Sequence, residues 1–185
     1  MTSRAEMLNK RAPSPNSNPD GIIKILSLKQ GQDIADTGSG GGYFSFKFAN
    51  IVGKDGKVFA VDTNPEFLRH IERSAKERGA SNITTVLAKE DGFALAEHSL
   101  DLIFLRNVTH HLPNRVSYFG RLRSLLKPGG RIAIFEYKPG GGFNFRRLFG
   151  HFVPKEELVK EINEAGFGQY QNFDMLPEQS FLIFA

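Results

Sequence analysis

The sequence contains no cysteine and no tryptophan among its 185 residues. Without cysteine the chain can form no disulfide, bind no metal through thiolates and use no cysteine nucleophile. It also lacks any apolar run near the roughly 20 residues that a membrane-spanning helix needs. The N-terminus has no apolar stretch of the signal-peptide kind, and we therefore expect a cytoplasmic protein.

Charge of either sign is not in large excess. The chain has 24 Lys and Arg against 20 Asp and Glu, a formal net charge of +4. Because the cations are interspersed with acids, we interpret them first as an ordinary solvated surface. A basic stripe that binds RNA is the alternative, and the net charge alone does not decide between them.

The length and composition fit one globular domain, since 40% of the residues are hydrophobic. Residues 1–19 are rich in Pro, Ser and Asn and show no periodicity. This composition predicts a flexible N-terminal tail, or a lid that becomes ordered when a ligand binds. A single domain is expected over residues 20–185.

From Pro19 onward, strand-like and helix-like patterns alternate. The predicted strands cover residues 33–37, 58–62, 83–87, 100–105, 131–137, 170–174 and 181–184. Helical patterns lie between most of them, which indicates an α/β fold with a mostly parallel sheet covered on both faces. The last two strands have no helix between them and are predicted to be antiparallel. Sheets of this kind bind ligands at the carboxyl ends of their strands.

A glycine-rich stretch, "DTGSGGGY", follows the first predicted strand. A phosphate-binding P-loop is excluded because Tyr43, and not Lys, follows Gly42. A dinucleotide-binding fingerprint that began at Gly38 would need its third glycine at Tyr43. Two interpretations stay open: a tight strand-to-helix turn without a ligand, or a backbone that a ligand approaches closely.

Two acids stand near this stretch. Asp62 ends the second strand, where a carboxylate can accept hydrogen bonds from both hydroxyls of a ribose, although surface acids at strand ends are common. Asp36 would repel a pyrophosphate placed above the glycines. It suits a ligand that carries an ammonium group and a positive centre.

Several segments in order resemble the motifs of class I S-adenosylmethionine-dependent methyltransferases. They are "DTGSGGGYF", "KVFAVDTNPEFL", "TTVLAKEDGFALAEHSLDLIF", "LRNVTHHL" and "LLKPGGRIAIFEY", and the resemblance runs from about Asp20 to near the end of the chain. It implies a three-layer, Rossmann-like sandwich with a seven-stranded sheet whose last strand is antiparallel. It also implies S-adenosyl-L-methionine (SAM) as cofactor and S-adenosyl-L-homocysteine (SAH) as product.

The same resemblance implies a cofactor site. The glycine backbone and the start of the next helix would face the methionine carboxylate, Asp36 its ammonium group, Asp62 the ribose, and Asp91 the adenine amino group. The implied cofactor-binding residues are Asp36, Gly38, Ser39, Gly40, Gly42, Asp62, Thr63, Asp91, Gly92, Phe93 and Arg106.

Methyl transfer from a sulfonium is an in-line displacement, so positioning and exclusion of water can supply most of the catalysis. A general base is needed only for a hydroxyl or protonated amine acceptor. His110, after the fourth strand, is the candidate base, and the alternative is that it orients its loop. The adjacent histidines lack metal-ligand spacing, so no metal is expected. Glu136 could line the acceptor pocket, but we favour a role in bonding the loop.

The acceptor is expected to be a small molecule. The Asn/Asp-Pro-Pro-Tyr/Phe motif of many amino-directed nucleic-acid methyltransferases is absent, so no nucleic-acid partner is expected. Arsenite methylation relies on cysteines in related enzymes, which this chain lacks. The segment 140–152 could be a lid over an aromatic or lipophilic acceptor, or a hinge followed by core packing. A SAM-binding regulatory protein without turnover and an RNA methyltransferase remain the alternatives.

Overall fold

A computed structural model describes residues 4–13, 17–89, 91–138 and 152–185. In these ranges the helices are α1 (Arg4–Arg11), α2 (Pro19–Leu26), α3 (Tyr43–Val52), α4 (Pro65–Arg78), α5 (Arg115–Leu125) and α6 (Lys155–Glu164). The strands are β1 (Asp33–Thr37), β2 (Lys57–Asp62), β3 (Ile83–Leu87), β4 (Leu100–Arg106), β5 (Leu126–Tyr137), β6 (Tyr170–Phe173) and β7 (Gln179–Phe184). A short 3-10 turn, Thr109–His111, follows β4.

Local sequence signals fix the ends of α4, as the sequence predicts. The Asn64 side chain accepts a hydrogen bond from the Glu66 amide at 2.9 Å, and Pro65 occupies the first helical position. Proline fits there because its missing N–H would have no partner within the helix. Gly79 ends the helix in the left-handed conformation, with φ of 66°.

The seven strands form one sheet in the order β3-β2-β1-β4-β5-β7-β6. The five strands from β3 to β5 are parallel, whereas β7 runs antiparallel to both β5 and β6. The α/β class, the seven strands and the antiparallel strand at the end of the chain are therefore confirmed. Since β1 lies between β2 and β4, the carboxyl end of β1 is where the strand order changes direction, which is the usual ligand site of such sheets.

The two faces of the sheet bury different helices. In β4, Leu102 and Phe104 pack with α2 and α3 on one face, and α4 packs nearby on β2 and β3. Ile103 and Leu105 pack with α5 and α6 on the other face. This alternation along the strand gives three layers.

The structure differs from the local sequence pattern at two places. Residues 4–11 form a helix with Ala5 buried, whereas their composition predicts an irregular segment. Their position against the glycine loop, described below, is compatible with the alternative of a lid. The fifth strand begins at Leu126 and not at Arg131, because Leu126 pairs with Leu100 and a register shift accommodates "KPGG" before pairing resumes.

The proposed lid at 140–152 lies outside the described residues, apart from Phe152. No helix in the described ranges has the length and apolar character needed to span a bilayer.

Candidate functional site

The glycine loop joins β1 to α3, and its glycines are required by backbone shape and by close neighbours. Gly38, Gly40 and Gly42 have φ of 73°, 54° and 85°, and residues that carry a side chain rarely adopt such positive values. A Cβ on Gly38 would lie 2.3 Å from the Val108 side chain, and one on Gly42 would lie 2.8 Å from Ile71. The loop therefore brings the backbone of β1 close against the segment after β4.

Most of the loop amides already have partners within the protein. The amides of Gly38 and Ser39 donate to the Val61 carbonyl at 2.8 and 3.0 Å, and the Gly42 amide donates to Ser39 at 2.8 Å. The Gly40 amide donates to Asp62. Because these four donors are used, they give no support to a role of their own amides as ligands of a carboxylate. The start of α3 has no side-chain cap, so the predicted role of its first amides stays a prediction.

Asp36 is a buried carboxylate at the carboxyl end of β1. Only 4% of the residue is exposed, and Ser45 of α3 donates a hydrogen bond to its Oδ2 at 2.5 Å. Burial raises the pKa of Asp36 to about 6, the Ser45 hydrogen bond opposes that rise, and the charge on Asp62 adds to it. Such a carboxylate gains most from a cation brought beside it.

Asp62 at the end of β2 organises the loop. Its Oδ2 accepts from the Gly40 amide and its Oδ1 from the Asn64 amide, both at 2.9 Å. Each carboxylate oxygen can accept a further hydrogen bond. The predicted contact with a ribose is therefore chemically possible and stays a prediction. Thr63, the next residue, is exposed.

A cavity of about 540 Å³ opens above the glycine loop. It is bounded by α1, the loop, the ends of β4 and β5, and the start of β7. Five residues predicted for the cofactor site line it: Asp36, Gly38, Ser39, Gly40 and Arg106. The remaining predicted residues do not lie on its wall.

Arg106, the last residue of β4, places a cation in this cavity. Its guanidinium lies over the Phe44 ring, 5.2 Å from the centroid. Burial lowers the pKa of Arg106, while Tyr137, Tyr43 and Asp36 act in the opposite direction. The side chain is thus a partly desolvated cation within the electrostatic reach of Asp36.

Buried polar atoms without a partner are concentrated at this site. Among the described residues, four such side-chain atoms occur: Asn9 Oδ1, Thr37 Oγ1, Ser39 Oγ and Arg106 Nε. All four belong to the loop or to residues next to it. Since buried polar groups in folded proteins are normally paired, this cluster indicates a place where a polar ligand completes the hydrogen bonding.

His110 and Glu136 form a buried cluster behind the cavity. Glu136, 1% exposed, accepts from the His110 Nδ1 at 2.9 Å, from the amides of His110 and Tyr137, and from the Thr109 hydroxyl. The interpretation of Glu136 as a loop-bonding acid is confirmed. The His110 side chain is only 5% exposed and does not line the cavity. The geometry therefore favours the alternative in which His110 orients the loop.

The residues predicted for adenine lie elsewhere. The Asp91 side chain is 65% exposed and accepts from Arg121 Nη1 at 2.6 Å, an interaction that lowers the pKa of Asp91. Phe93 packs against the core on the face of the sheet that α5 and α6 cover. The structure does not bring this set to the cavity, so the assignment of Asp91, Gly92 and Phe93 to adenine stays a prediction.

Sequence reasoning missed several residues of the cavity wall. Asn9 and Arg11 come from the N-terminal segment that looked irregular. Gln179, at the start of β7, donates a hydrogen bond to Asn107. Strand β7 pairs with β5, Gln179 opposite Tyr137. Only the strand order brings Gln179 to the site, and no local pattern indicates it.

Comparisons with known proteins agree with this architecture. The profile of the family described as "Methyltransferase domain" matches residues 28–175. A crystal structure of a SAM-dependent methyltransferase from Aquifex aeolicus superposes with a TM-score of 0.86 at 19% identity, covering 100% of this chain and 97% of that one. At this identity the likeness shows the fold alone.

Two curated relatives are similar over part of their length. A ubiquinone/menaquinone biosynthesis C-methyltransferase UbiE from Yersinia enterocolitica is 28% identical over 175 residues, which cover 86% of this chain. An arsenite methyltransferase from Halobacterium salinarum is 30% identical over 112 residues, 60% of this chain. The match spans 66% of the first relative and 29% of the second.

Proposed function

Since this chain belongs to the methyltransferase-domain family, and with it to the class I SAM-dependent superfamily, we propose that it transfers the methyl group of SAM to a small-molecule acceptor. SAH is then the second product. One observation carries the proposal: a buried acid and a desolvated arginine share one cavity beside unpaired buried polar atoms.

Asp36 and Arg106 match the charges of an amino-acid zwitterion. An α-ammonium group placed beside Asp36 restores the stabilisation that the carboxylate loses through burial. An α-carboxylate can accept from the guanidinium, including its unpaired Nε. The methionine part of SAM carries both charges. We therefore propose Arg106 as a partner of this carboxylate beside the backbone amides at the start of α3.

The rest of the cavity fits a flat acceptor with oxygen substituents. Tyr43, Phe44, Phe104 and Tyr137 supply aromatic walls. Asn107 and Gln179 supply amides that can bond hydroxyl or carbonyl oxygens. We propose an aromatic acceptor with hydroxyl or quinone-type oxygens, in line with the name of the UbiE relative. Arsenite is not proposed, because the chain has no cysteine.

Positioning is the main catalytic contribution that we propose. The buried Glu136 holds the loop of His110 and thereby the wall of the acceptor compartment. A base role for His110 would require its ring to reach the acceptor, whereas the ring is buried against Glu136 and does not line the cavity. The interspersed charges support a small-molecule acceptor over RNA, and a cytoplasmic location stays an expectation.

The test begins with calorimetry of SAH and of adenosine. Saturable SAH binding, at least tenfold tighter than adenosine, is expected because the amino-acid end provides the charged contacts. Absence of SAH binding by folded protein contradicts the proposal. Transfer of a radioactive methyl group is then measured with hydroxylated aromatics and quinols, and with RNA and arsenite as controls. Binding without transfer to any acceptor favours the regulatory alternative.

A further inference from the structure

Helix α1 lies directly on the glycine loop. The carbonyl oxygen of Ala5 and Oδ1 of Asn9 lie 2.3 and 2.4 Å from the position that a Cβ on Gly41 would take. Neither distance is compatible with a side chain at this position. Gly41 falls outside the alternating series Gly38, Gly40 and Gly42. The close packing of α1 against Gly41 therefore explains why this position has no side chain.

Asn9 connects the helix to the loop. Its Nδ2 donates a hydrogen bond of 2.7 Å to the Gly41 carbonyl. A carbonyl can only accept, so this contact fixes which end of the amide is Oδ1. That Oδ1 is buried and has no partner, and Asn9 lines the cavity that also contains Asp36 and Arg106.

A buried ammonium group has three N–H donors, and each one that lacks an acceptor costs free energy. Asp36 lines the cavity and already accepts from Ser45, so its carboxylate can bond only part of an ammonium group. An acceptor on α1 would serve another of the three donors. The unpaired Asn9 Oδ1 is a side-chain acceptor of this kind on the cavity wall.

We propose that Asn9 is a ligand-binding residue of the cofactor site: its Nδ2 fixes α1 to Gly41, and its Oδ1 accepts a hydrogen bond from the ammonium group of bound SAM or SAH. This inference rests on the proposed function. It assigns to the N-terminal helix a specific contact with the amino-acid end of the cofactor.

The experiment combines the variant Asn9→Ala with two probes. One probe is SAH, and the other is its deaminated analogue, 4-(adenosin-5′-ylthio)butyrate, which keeps the carboxylate but has no ammonium group. Affinity for the analogue is measured by displacement of SAH. Lys10→Ala, on the exposed side of the same helix, is the matched control, and melting curves establish that each variant is folded.

Asn9→Ala is expected to weaken SAH binding roughly tenfold more than binding of the analogue, the effect of one hydrogen bond to a charged group, because any loosening of α1 weakens both probes alike. Lys10→Ala should change neither. Equal weakening of both probes, or no weakening of SAH binding, overturns the inference while leaving the proposed function intact. If the unmodified protein does not bind SAH, both fail.

Hydrogen exchange tests the contact with Gly41 independently. In Asn9→Ala, and more strongly in Gly41→Ala, the amides of residues 5–12 are expected to exchange at least tenfold faster than in the unmodified protein. Lys10→Ala should leave them unchanged. Unchanged exchange in both the Asn9 and the Gly41 variants overturns the proposed attachment of α1.

Discussion

Two aspartates of one strand, Asp33 and Asp36, have opposite surroundings. At the amino edge of the sheet, Asp33 accepts from the Lys57 amide at 3.1 Å and from Lys127 Nζ at 3.1 Å. Lys127 also donates to Asp101 at 2.6 Å, and Asp101 accepts from the Asp33 amide. At the carboxyl edge, Asp36 is buried near Arg106 without such an ion pair, and its pKa is raised to about 6.

The difference shows that one residue type is fully paired at one edge and left for the proposed ligand at the other. At the amino edge, Asp33 and Asp101 each have a cation and a backbone donor. The carboxyl edge retains a desolvated acid and four unpaired polar atoms within the described residues. Perturbed groups of this kind mark functional sites.

The largest effect is expected from Asp62→Ala at the carboxyl edge. The change removes the predicted ribose contact and also two acceptors of the loop, at Gly40 and Asn64. We expect SAH affinity to fall about 100-fold and the free energy of unfolding to fall by about 2 kcal/mol. Calorimetry and urea unfolding measure the two effects.

Asp55→Ala, at an exposed turn, is the control for Asp62→Ala and should change neither quantity. The Asp62 carboxylate holds backbone amides, so the loss of stability is larger than the sequence alone suggests. Unchanged affinity in Asp62→Ala would contradict the ribose assignment.

A smaller effect is expected from Asp36→Asn, which should raise the stability of the free protein and lower its affinity for SAH. Burial of the charge costs stability, since a rise in pKa from 3.8 to about 6 corresponds to about 3 kcal/mol. The amide removes most of this penalty, so the free protein should be more stable by about 2 kcal/mol at pH 7.5. SAH affinity should fall about 30-fold because the ammonium loses its counter-charge.

The dependence of stability and of SAH affinity on pH tests the charge of Asp36. Because the pKa is raised in the folded state, the penalty on stability is absent below about pH 4 and complete above about pH 6. SAH binding needs the charged form, so affinity should fall up to tenfold per pH unit below pH 6. In Asp36→Asn this dependence should disappear, and a persistent slope would assign the titration to another group.

The smallest effect is expected at the amino edge. Lys127→Met removes the cation shared by Asp33 and Asp101. The side chain is 34% exposed, so solvent screens the pair and the stability should fall by about 1 kcal/mol. SAH affinity should stay within twofold of the unmodified protein. A tenfold loss of affinity would show that the two edges are coupled.

Periodicity and turn chemistry were sufficient to predict the layers of this fold. The alternation of Leu102, Ile103, Phe104 and Leu105 between two cores is a local pattern, as is the capping of α4 by Asn64. The local sequence does not predict helix α1, because the helix is held by its packing against Gly41. Intrinsic helix propensity does not include such tertiary contacts.

The site was predictable in part. Asp36, Gly38 and Asp62 are identified by their position at or just after the ends of strands, and the structure brings them together around the loop. The partners of the loop amides and the burial of Arg106 over Phe44 were not predictable, because they depend on distances between elements that are far apart in the sequence. Asn9 and Gln179 reach the cavity only through the arrangement of the chain ends.

The four hydrogen bonds that converge on Glu136 have a kinetic consequence. Three of them, from Thr109 and His110, attach the segment after β4 to β5, so we expect this wall of the cavity to be rigid. For a nucleoside bound in the proposed site, we expect exchange to proceed from the side of α1 and its departure to set the turnover number. Steady-state rates should accordingly fall with solvent viscosity, while a single turnover should not.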